Sequence, residues 1–272
     1  MNPENKFVRE PIGQQFNENE SYKPSVPFFK FQETTMNIVI PKGEQFNGVM
    51  QFFNEIGLEI PENRNPRDFK IPVRNIPLIL IPFRAGDIPK IVLDNRSSAK
   101  AGITGSDVIW ESSYDLGTDR NEGETLPLDE LVEDPPKSSL YLGATQEYAD
   151  IIIDKFERDI EPTDLNGKTI VTIYPNITKE YLKSKNMDRS QIYTISGQDE
   201  AAQYVFNLEG ILGIKSTGKT IEANRIVIID EFFEVATILA TFGTDKLTTR
   251  DMQLLNDLRE MTWLALKKRG MV

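Results

Sequence analysis

The sequence predicts an α/β fold with mostly parallel sheets, divided into two lobes. Along its 272 residues, at least six aliphatic segments of strand length alternate with amphipathic segments of helix length. This alternation is expected when helices connect neighbouring parallel strands. A chain of this length usually forms more than one compact unit. Residues 112–139 carry eight acidic and two basic side chains and three prolines, and this change in composition predicts the crossing between the lobes.

These observations divide the chain into three predicted regions. Residues 1–35 are rich in Asn, Glu, Lys and Pro, so they bury little surface by themselves and are predicted to form an amino-terminal arm. Residues 36–112 and 230–272 are predicted to form the first lobe. Residues 113–229 are predicted to form the second lobe.

The composition excludes several kinds of chemistry. The chain contains no Cys and no His, which removes disulfides, thiolate zinc sites, cysteine nucleophiles and histidine bases. Catalysis would then depend on carboxylates, Lys, Arg, hydroxyls, backbone amides or Mg²⁺. The net charge of -11 gives little electrostatic support for binding nucleic acid. We therefore expect the partners to be small molecules or another protein subunit.

Hydropathy predicts no association with membranes. No segment reaches the roughly 18 consecutive apolar residues that a spanning helix needs. The first residues are polar and include Pro11, Pro24 and Pro27, unlike a signal peptide. We expect a cytoplasmic protein.

The first lobe opens with a strand, a tight turn and a helix. Residues 36–40 are typical of a strand, and Lys42 and Gly43 follow at the turn. Residues 46–56 place apolar side chains on one helical face before Gly57. Ligands bind at the carboxyl ends of parallel strands, so Lys42 is either a binding residue or a solvated loop cation.

Two more strands of the first lobe end in polar segments. Residues 75–82 predict a buried strand that leads to Arg84. Residues 101–111 combine a short strand, a Gly-Ser turn and Asp107. Asp107 either caps the helix that follows or contacts a ligand, and the sequence supports both interpretations equally.

The second lobe repeats the pattern of strand and helix. Strands are predicted at residues 140–144, 169–173, 191–195 and 226–229, with helices at residues 146–157, after Asn176 and after Glu200. The chain then returns to the first lobe and ends in a long helix. This helix is predicted to be capped near Thr248 or Thr249.

Residues 213–220 read Gly-Ile-Lys-Ser-Thr-Gly-Lys-Thr. Backbone amides surround an anion only where side chains are short, so this segment favours phosphate. It also satisfies the Walker A pattern, and Asp230 and Glu231 follow an aliphatic run like that of a Walker B strand. A Walker loop leads into a helix of about ten or more residues, whereas five residues separate Thr220 from Ile226. A phosphate cradle is favoured; a nucleotide-hydrolysing loop and an ordinary turn remain alternatives.

Four stretches match the order and spacing of motifs in one known family. They are Ile40-Pro41-Lys42-Gly43, residues 84–87 and Pro89 with residues 102–108, Thr172-Ile173-Tyr174-Pro175-Asn176, and residues 216–224. Together they resemble the ATP phosphoribosyltransferases, the first enzymes of histidine biosynthesis. The resemblance covers about residues 36–240. The length is similar to that of the short form of the family, which lacks a carboxyl-terminal regulatory domain and works with a synthetase-like subunit.

The resemblance implies a fold, a reaction and a set of ligands. The fold would be like that of the type II periplasmic binding proteins, with the site in a cleft between the lobes. The reaction would join N1 of ATP to C1 of phosphoribosyl pyrophosphate and release pyrophosphate, with Mg²⁺ as cofactor. The protein would be a homo-oligomer or would form a hetero-complex with a regulatory subunit.

The resemblance also implies roles for individual residues. Lys42, Arg84 and Glu200 would be the catalytic residues, with the two cations facing pyrophosphate or triphosphate and Glu200 on the second-lobe wall. The loop that binds the 5-phosphate would consist of Ser216, Thr217, Gly218, Lys219 and Thr220. The remaining substrate-binding positions would be Gly43, Thr104, Gly105, Asp107, Glu111 and Tyr174. No metal ligand is assigned.

Four positions depart from the pattern of the family. Gly213 replaces an aspartate that can bind ribose hydroxyls, Glu44 replaces an arginine, Lys100 an aspartate, and Gln203 a proline. Two functions therefore stay open at this point. One is an active ATP phosphoribosyltransferase, and the other is an inactive descendant that binds a nucleotide or phosphorylated ligand as a sensor or partner subunit.

Overall fold

The computed structural model describes residues 35–61, 68–121, 123–132, 137–197, 201, 202, 205, 208–216, 218–241 and 247–272, and of Glu44, Asp129 and Glu130 only the backbone. The predicted amino-terminal arm therefore lies outside the described residues, except for Thr35. No helix in the described part of the chain combines the length and the apolar character needed to cross a membrane.

Strands and helices alternate along most of the described chain. The strands are β1 (Met36–Pro41), β2 (Ile71–Pro72), β3 (Leu78–Phe83), β4 (Ala99–Gly105), β5 (Glu124–Thr125), β6 (Ser138–Thr145), β7 (Thr169–Thr172), β8 (Gln191–Thr194), β9 (Gly210–Lys215), β10 (Ile226–Val235) and β11 (Thr237–Ala240). The α-helices are α1 (Glu44–Glu55), α2 (Ile88–Leu93), α3 (Ser106–Leu116), α4 (Leu128–Leu131), α5 (Gln146–Phe156), α6 (Pro175–Ser184), α7 (Lys219–Ala223) and α8 (Thr249–Lys268). Short 3₁₀ helices span Ala85–Asp87 and Pro162–Leu165.

The strands form two sheets, which confirms the predicted two-lobed α/β architecture. The first sheet has the order β2-β3-β1-β4-β11-β5 and the second β10-β6-β9-β7-β8. The prediction of mostly parallel sheets needs correction, because both are mixed. Strands β3, β1 and β4 are parallel neighbours, as are β9, β7 and β8, while β2, β5, β6, β10 and β11 pair antiparallel. Strands β2 and β3 are consecutive in the chain, whereas the other antiparallel pairs join strands that are distant in sequence, such as β4 with β11 and β6 with β10.

The chain changes sheet at two places. It leaves the first sheet after β5 and enters the second at β6, and it returns between β10 and β11. At the return, Ser106 N–H donates to Ala236 O at 2.8 Å and Ala236 N–H donates to Ser106 Oγ at 3.0 Å. The start of α3 is thus fixed to the returning strand. The predicted boundaries at residues 112/113 and 229/230 stay predictions, whereas strand pairing assigns β5 to the first sheet and all of β10 to the second.

Each sheet has its own apolar core. In the first lobe, Ile38, Phe52 and Leu80 are almost fully buried together with Leu254 of α8. In the second lobe, the core includes Leu142, Ile170, Ile177 and Leu212. Burying one such side chain stabilises a fold by roughly 1.5–3 kcal/mol, so each lobe has enough apolar burial to hold the carboxyl ends of its strands in place.

The carboxyl-terminal helix packs on the core of the first sheet through Leu254, Leu255 and Leu258. Thr248 caps α8: its Oγ1 accepts from Asp251 N–H at 3.1 Å, and Asp251 Oδ2 accepts from Thr248 N–H at 2.9 Å. At the other end, Arg269 Nη2 lies 2.7 Å from Glu55 Oε2 at the end of α1. These contacts fix α8 across the first core.

Candidate active site at the carboxyl edges of the two sheets

Two predicted catalytic cations lie side by side in the first lobe. Strands β1 and β3 are parallel with Pro41 opposite Phe83, so the residues that follow them, Lys42 and Arg84, emerge at the same edge. Lys42 N–H donates to Phe83 O at 2.8 Å and fixes this arrangement. Both side chains are exposed. The pair presents two positive charges to solvent at the edge where ligands of α/β sheets bind.

The backbone around these cations depends on small residues. Gly43 has φ 90° and ψ −140° at the start of α1, a conformation that strongly favours glycine. Thr104 is fully buried, and its Oγ1 donates to Ala85 O at 3.2 Å. This bond ties the end of β4 to the segment that carries Arg84, so three neighbouring strands deliver the predicted residues to one edge.

Asp107 is a buried carboxyl group in the first turn of α3. It is 2% exposed, and Oδ2 accepts a 2.6 Å hydrogen bond from the Tyr174 hydroxyl of the second lobe. Its Oδ1 atom finds no hydrogen-bond partner among the described residues. Burial raises the pKa of Asp107, and the hydrogen bond from Tyr174 opposes this effect only in part. The alternative of a helix cap is wrong, because α3 already begins at Ser106 after Gly105 and has no side-chain cap.

Gly105 provides the space that Asp107 occupies. A Cβ atom at this position would lie 2.0 Å from Asp107 Oδ1, far inside van der Waals contact. Any other residue at position 105 would therefore displace the carboxylate. The predicted substrate-binding role of Gly105 is not tested by this contact, but the contact gives the residue a clear reason to be glycine.

Glu111 reaches from α3 to the amino-terminal end of α6. Its carboxylate accepts from Asn176 N–H at 3.0 Å and from Ile177 N–H at 2.9 Å, and Asn176 Nδ2 donates to Glu111 O at 3.3 Å. Burial raises the pKa of Glu111, while the amides of α6 favour the ionised form. In the structure, Glu111 contacts protein groups that would otherwise be free to bind an anion.

The second lobe places Tyr174 and the predicted phosphate-binding loop, residues 216–220, at one edge of its sheet. Tyr174 follows β7 and Ser216 follows β9, and these strands are parallel with Thr172 opposite Leu212. Gly218 has φ 77° and precedes α7, in the left-handed region that favours glycine. Lys219 and Thr220 are exposed. Thr217 and Glu200 lie outside the described residues, so their predicted roles stay predictions.

The nucleotide-hydrolysing alternative for this loop is wrong. Helix α7 has five residues and the chain then enters β10, which leaves no helix of the length that a Walker loop requires. Asp230 is also engaged elsewhere: its Oδ2 accepts from the Tyr181 hydroxyl at 2.7 Å and lies 2.8 Å from Lys185 Nζ. Burial alone would raise the pKa of Asp230, but the bonds from Lys185 and Tyr181 hold it below its usual value.

The structure thus joins some predicted site residues directly and others only through shared sheet edges. Lys42 and Arg84 are neighbours, and Asp107 contacts Tyr174 across the lobes. The loop that contains Ser216 and Gly218 shares an edge with Tyr174 and lies in the other lobe from the two cations. The site is therefore built from two parallel-strand edges, one in each lobe.

Comparison with known proteins supports one family. The sequence profile of the ATP phosphoribosyltransferases (HisG) matches residues 84–260, well over half of the chain. The chain belongs to the ATP phosphoribosyltransferase family.

Curated relatives named ATP phosphoribosyltransferase agree with this assignment. The relative from Halorubrum lacusprofundi is 30% identical over 201 residues, which cover 73% of this chain and 63% of the relative. The relative from Thermococcus gammatolerans is 29% identical over 201 residues, covering 74% of this chain and 84% of the relative. The chain spans a little under two thirds of the length of the Halorubrum, Rhodopirellula and Methanosarcina relatives, at 63%, 64% and 61%.

A solved structure shares the fold. The ATP phosphoribosyl transferase (HisG:HisZ) complex from Thermotoga maritima aligns with a TM-score of 0.60 and 22% sequence identity, covering 84% of this chain and 99% of that chain. At this identity the similarity concerns the fold. It agrees with the two-sheet architecture described above.

Two of the departures from the ATP phosphoribosyltransferase pattern can be placed in the structure. Gly213 is a buried residue of β9 opposite Tyr141 of β6, and by alternation it lies on the same face of the sheet as Ile211, whose cluster includes Ile221 of α7. Lys100 lies within β4 and is partly exposed. Nothing is described of the Glu44 side chain or of Gln203.

Sequence reasoning missed Trp110, Tyr114 and Glu180, which lie beside the family motifs. Trp110 Nε1 donates to Glu180 Oε2 at 3.3 Å, and the Tyr114 hydroxyl donates to the same carboxylate. A signal was present: Asp107, Trp110, Glu111 and Tyr114 follow the spacing i, i+3, i+4 and i+7, which places them on one helical face. A face that mixes carboxylates with aromatic residues is not typical of a solvated surface, and it indicates a polar contact with another element.

Proposed function

We propose that this chain transfers the phosphoribosyl group of phosphoribosyl pyrophosphate to N1 of ATP. The products would be N1-(5-phosphoribosyl)-ATP and pyrophosphate, which is the first step of histidine biosynthesis. Membership in the ATP phosphoribosyltransferase family supports the activity. The observation that carries the proposal is the pairing of Lys42 and Arg84 at one strand edge, fixed by the 2.8 Å bond from Lys42 N–H to Phe83 O.

The two cations would act on the leaving group. As the N1 lone pair forms a bond to C1 of the ribose, the bond from C1 to the diphosphate oxygen breaks and its electron pair leaves with pyrophosphate. Negative charge grows on the diphosphate while the ribose becomes oxocarbenium-like. Lys42 and Arg84 stabilise that charge when they face the diphosphate, and such preorganised charges contribute strongly to catalysis. Glu200 stays a proposed catalytic residue of the second-lobe wall.

The loop after β9 would hold the other end of the substrate. Ser216, Thr217, Gly218, Lys219 and Thr220 offer hydroxyls, backbone amides and one ammonium to the 5-phosphate. Gly218 supports this role because its left-handed backbone lets the chain turn tightly before α7. Holding the phosphate in one lobe and the diphosphate in the other aligns C1 for attack and reduces the entropy lost on reaching the transition state.

Mg²⁺ is the proposed cofactor. Among the residues that the structure describes, no group of three or more carboxylates has an arrangement that could hold a metal ion. Mg²⁺ that enters with a diphosphate needs few protein ligands, because phosphate oxygens and water supply most of its coordination. The ion would therefore come with the substrate and neutralise part of the diphosphate charge. The protein ligands stay unassigned.

We also propose a cytoplasmic protein that assembles as a homo-oligomer or with a regulatory subunit. The similar Thermotoga maritima structure is a HisG:HisZ complex, which supports the second arrangement. Nothing in the fold or in the relatives favours the inactive descendant over an active enzyme.

The test is pyrophosphate release with ATP, phosphoribosyl pyrophosphate and Mg²⁺, in the chain and in two variants. Arg84→Ala should lower kcat/KM by about 10²–10³, the effect typical of losing one preorganised charge contact. Lys90→Ala removes an exposed cation of α2 and should change kcat/KM little. Equal effects in both variants would contradict the assignment of Arg84. If the chain releases no pyrophosphate but ATP or phosphoribosyl pyrophosphate raises its Tm, it is a binding protein instead.

A further inference from the structure

One face of α3 is turned toward α6 of the second lobe. Contacts occur at three levels along the two helices: Asp107 with Tyr174, Glu111 with Asn176 and Ile177, and Tyr114 with Glu180. Residue numbers increase in the same order along both helices from one contact to the next, so the two helices run in the same direction. Parallel neighbouring helices bring like ends of their dipoles together, which is unfavourable unless other charges compensate.

Glu111 supplies that compensation at the amino-terminal end of α6. The N–H groups of Asn176 and Ile177 have no partner within the helix at this position, and the Glu111 carboxylate accepts from both. A negative charge from the first lobe therefore stabilises the positive end of a second-lobe helix. This contact can form only when the lobes are close together.

Glu180 supplies the matching contact from the second lobe. Its carboxylate accepts from Trp110 Nε1 at 3.3 Å, from Arg120 Nη1 at 3.0 Å and from the Tyr114 hydroxyl. The Trp110 ring packs on Phe233 of β10 with 4.9 Å between ring centroids. Burial alone would raise the pKa of Glu180, but these three donors hold it below its usual value, so the group stays ionised at neutral pH.

We propose that Glu111 and Glu180 form a latch that holds the two lobes in the closed arrangement, and that Glu111 is a positioning residue of the reaction. The first lobe contributes Glu111, which accepts hydrogen bonds from α6 of the second lobe. The second lobe contributes Glu180, which accepts hydrogen bonds from α3 of the first lobe. The Glu180 side chain is 42% exposed, so water can replace its contacts when the lobes separate. The chain returns to the first sheet at Ala236, which is bonded to Ser106 at the start of α3, and a small rotation of the chain there would open this face.

The latch gives Glu111 a different role from the substrate contact that the family resemblance implied. Its carboxylate occupies the α6 amides, so phosphate groups of the substrate are directed to the loop at residues 216–220 and to Lys42 and Arg84. Closure brings this loop of the second lobe and the two cations of the first lobe to the same substrate. The kinetic part of this inference rests on the proposed function, whereas the closure itself does not.

Distance measurement tests the latch without any substrate. The chain has no Cys, so Asn95→Cys in the first lobe and Asp154→Cys in the second provide two unique, exposed sites for spin labels. Dipolar spectroscopy should give a narrow distance distribution in the labelled chain. Glu111→Ala and Glu180→Ala should each give a broader distribution shifted to longer distances. Asp115→Asn, which removes an exposed carboxylate of the same helix, should leave the distribution unchanged.

Kinetics separates positioning from a purely structural role. With a smaller closed population, the apparent affinity for substrates falls in proportion, so Glu180→Ala should raise KM for phosphoribosyl pyrophosphate about tenfold and lower kcat much less. Glu111→Gln keeps the shape and one acceptor oxygen and should recover part of the loss in Glu111→Ala. Distance distributions unchanged in both alanine variants would overturn the latch. Absence of pyrophosphate release by the unmodified chain would instead overturn the proposed function. The latch would then be judged by the distance measurement alone, which needs no substrate.

Discussion

At the scale of single residues, three carboxyl groups on the facing helices differ in their surroundings. Asp107 is almost completely buried with one hydrogen bond, Glu111 is half-buried against helix amides, and Glu180 is partly exposed with three donors. Burial disfavours the charged form, while donors favour it. A carboxyl group therefore has a raised pKa at positions 107 and 111 and a lowered pKa at position 180. The sequence identified the first two as candidate site residues but contained no information on these differences, which depend on partners more than sixty residues away.

The raised pKa of Asp107 predicts a pH-dependent effect of Asp107→Asn. Above the raised pKa the native state buries a charge, and as pH falls through that value the native state binds a proton before the unfolded state does. The wild-type chain therefore gains stability relative to the variant between the raised pKa and the usual value near 4. Urea unfolding should show the variant more stable by on the order of 1 kcal/mol near pH 8. The difference should shrink toward about pH 5; a constant difference would contradict the burial of a charged Asp107.

The contact between Gly105 and Asp107 predicts that a single methyl group is destabilising. Gly105→Ala places a Cβ atom 2.0 Å from Asp107 Oδ1 and should lower the free energy of unfolding by about 1–3 kcal/mol. Gly86→Ala is the matched control, because a Cβ atom at position 86 would have no atom within 4 Å among the described residues. Thermal and urea unfolding of both variants measure the difference. Equal stability of the two variants would show that Asp107 moves aside at no cost.

At the scale of elements, periodicity located most strands and helices. The predicted bounds of the first strand, of the helix that begins at Gln146 and of the strand at Thr169 agree with the structure within one residue at both ends. The strand predicted at residues 226–229 extends to Val235 in β10. Its second half contains Asp230, Glu231 and Glu234, which do not resemble a strand locally, but antiparallel pairing with β6 holds it through two irregularities in register. Pairing with a distant strand is a tertiary property, so the local pattern could not predict it.

The capping box of α8 provides a test of an element that the sequence did predict. Thr248→Ala removes the acceptor for Asp251 N–H and should lower the free energy of unfolding by about 1 kcal/mol. Thr249→Ala changes the same side chain one residue later, inside the helix, and should have a smaller effect. The comparison by urea unfolding isolates the cap, since both variants lose one Thr side chain. A larger effect of Thr249→Ala would place the cap at the other residue.

At the scale of the whole molecule, the order of elements was sufficient to predict two lobes. The sequence could also place Lys42, Arg84, Tyr174 and Ser216 after strands, which is why the structure finds them at sheet edges. It could not predict which edge contacts lie between lobes, because the contacts of α3 with α6 depend on how two separately folded units meet. The Glu180 contacts became visible only when that arrangement was known.

In the proposed reaction, the two sheet edges act together on one sugar phosphate and one nucleotide. The most direct measurement is mass spectrometry of the products formed from ATP, phosphoribosyl pyrophosphate and Mg²⁺, with each substrate omitted in turn. We expect an adduct of ATP with one 5-phosphoribosyl group and an equal amount of pyrophosphate, only when both substrates are present. Conversion of ATP to ADP without phosphoribosyl pyrophosphate, or no adduct from a folded chain that binds both substrates, would contradict it.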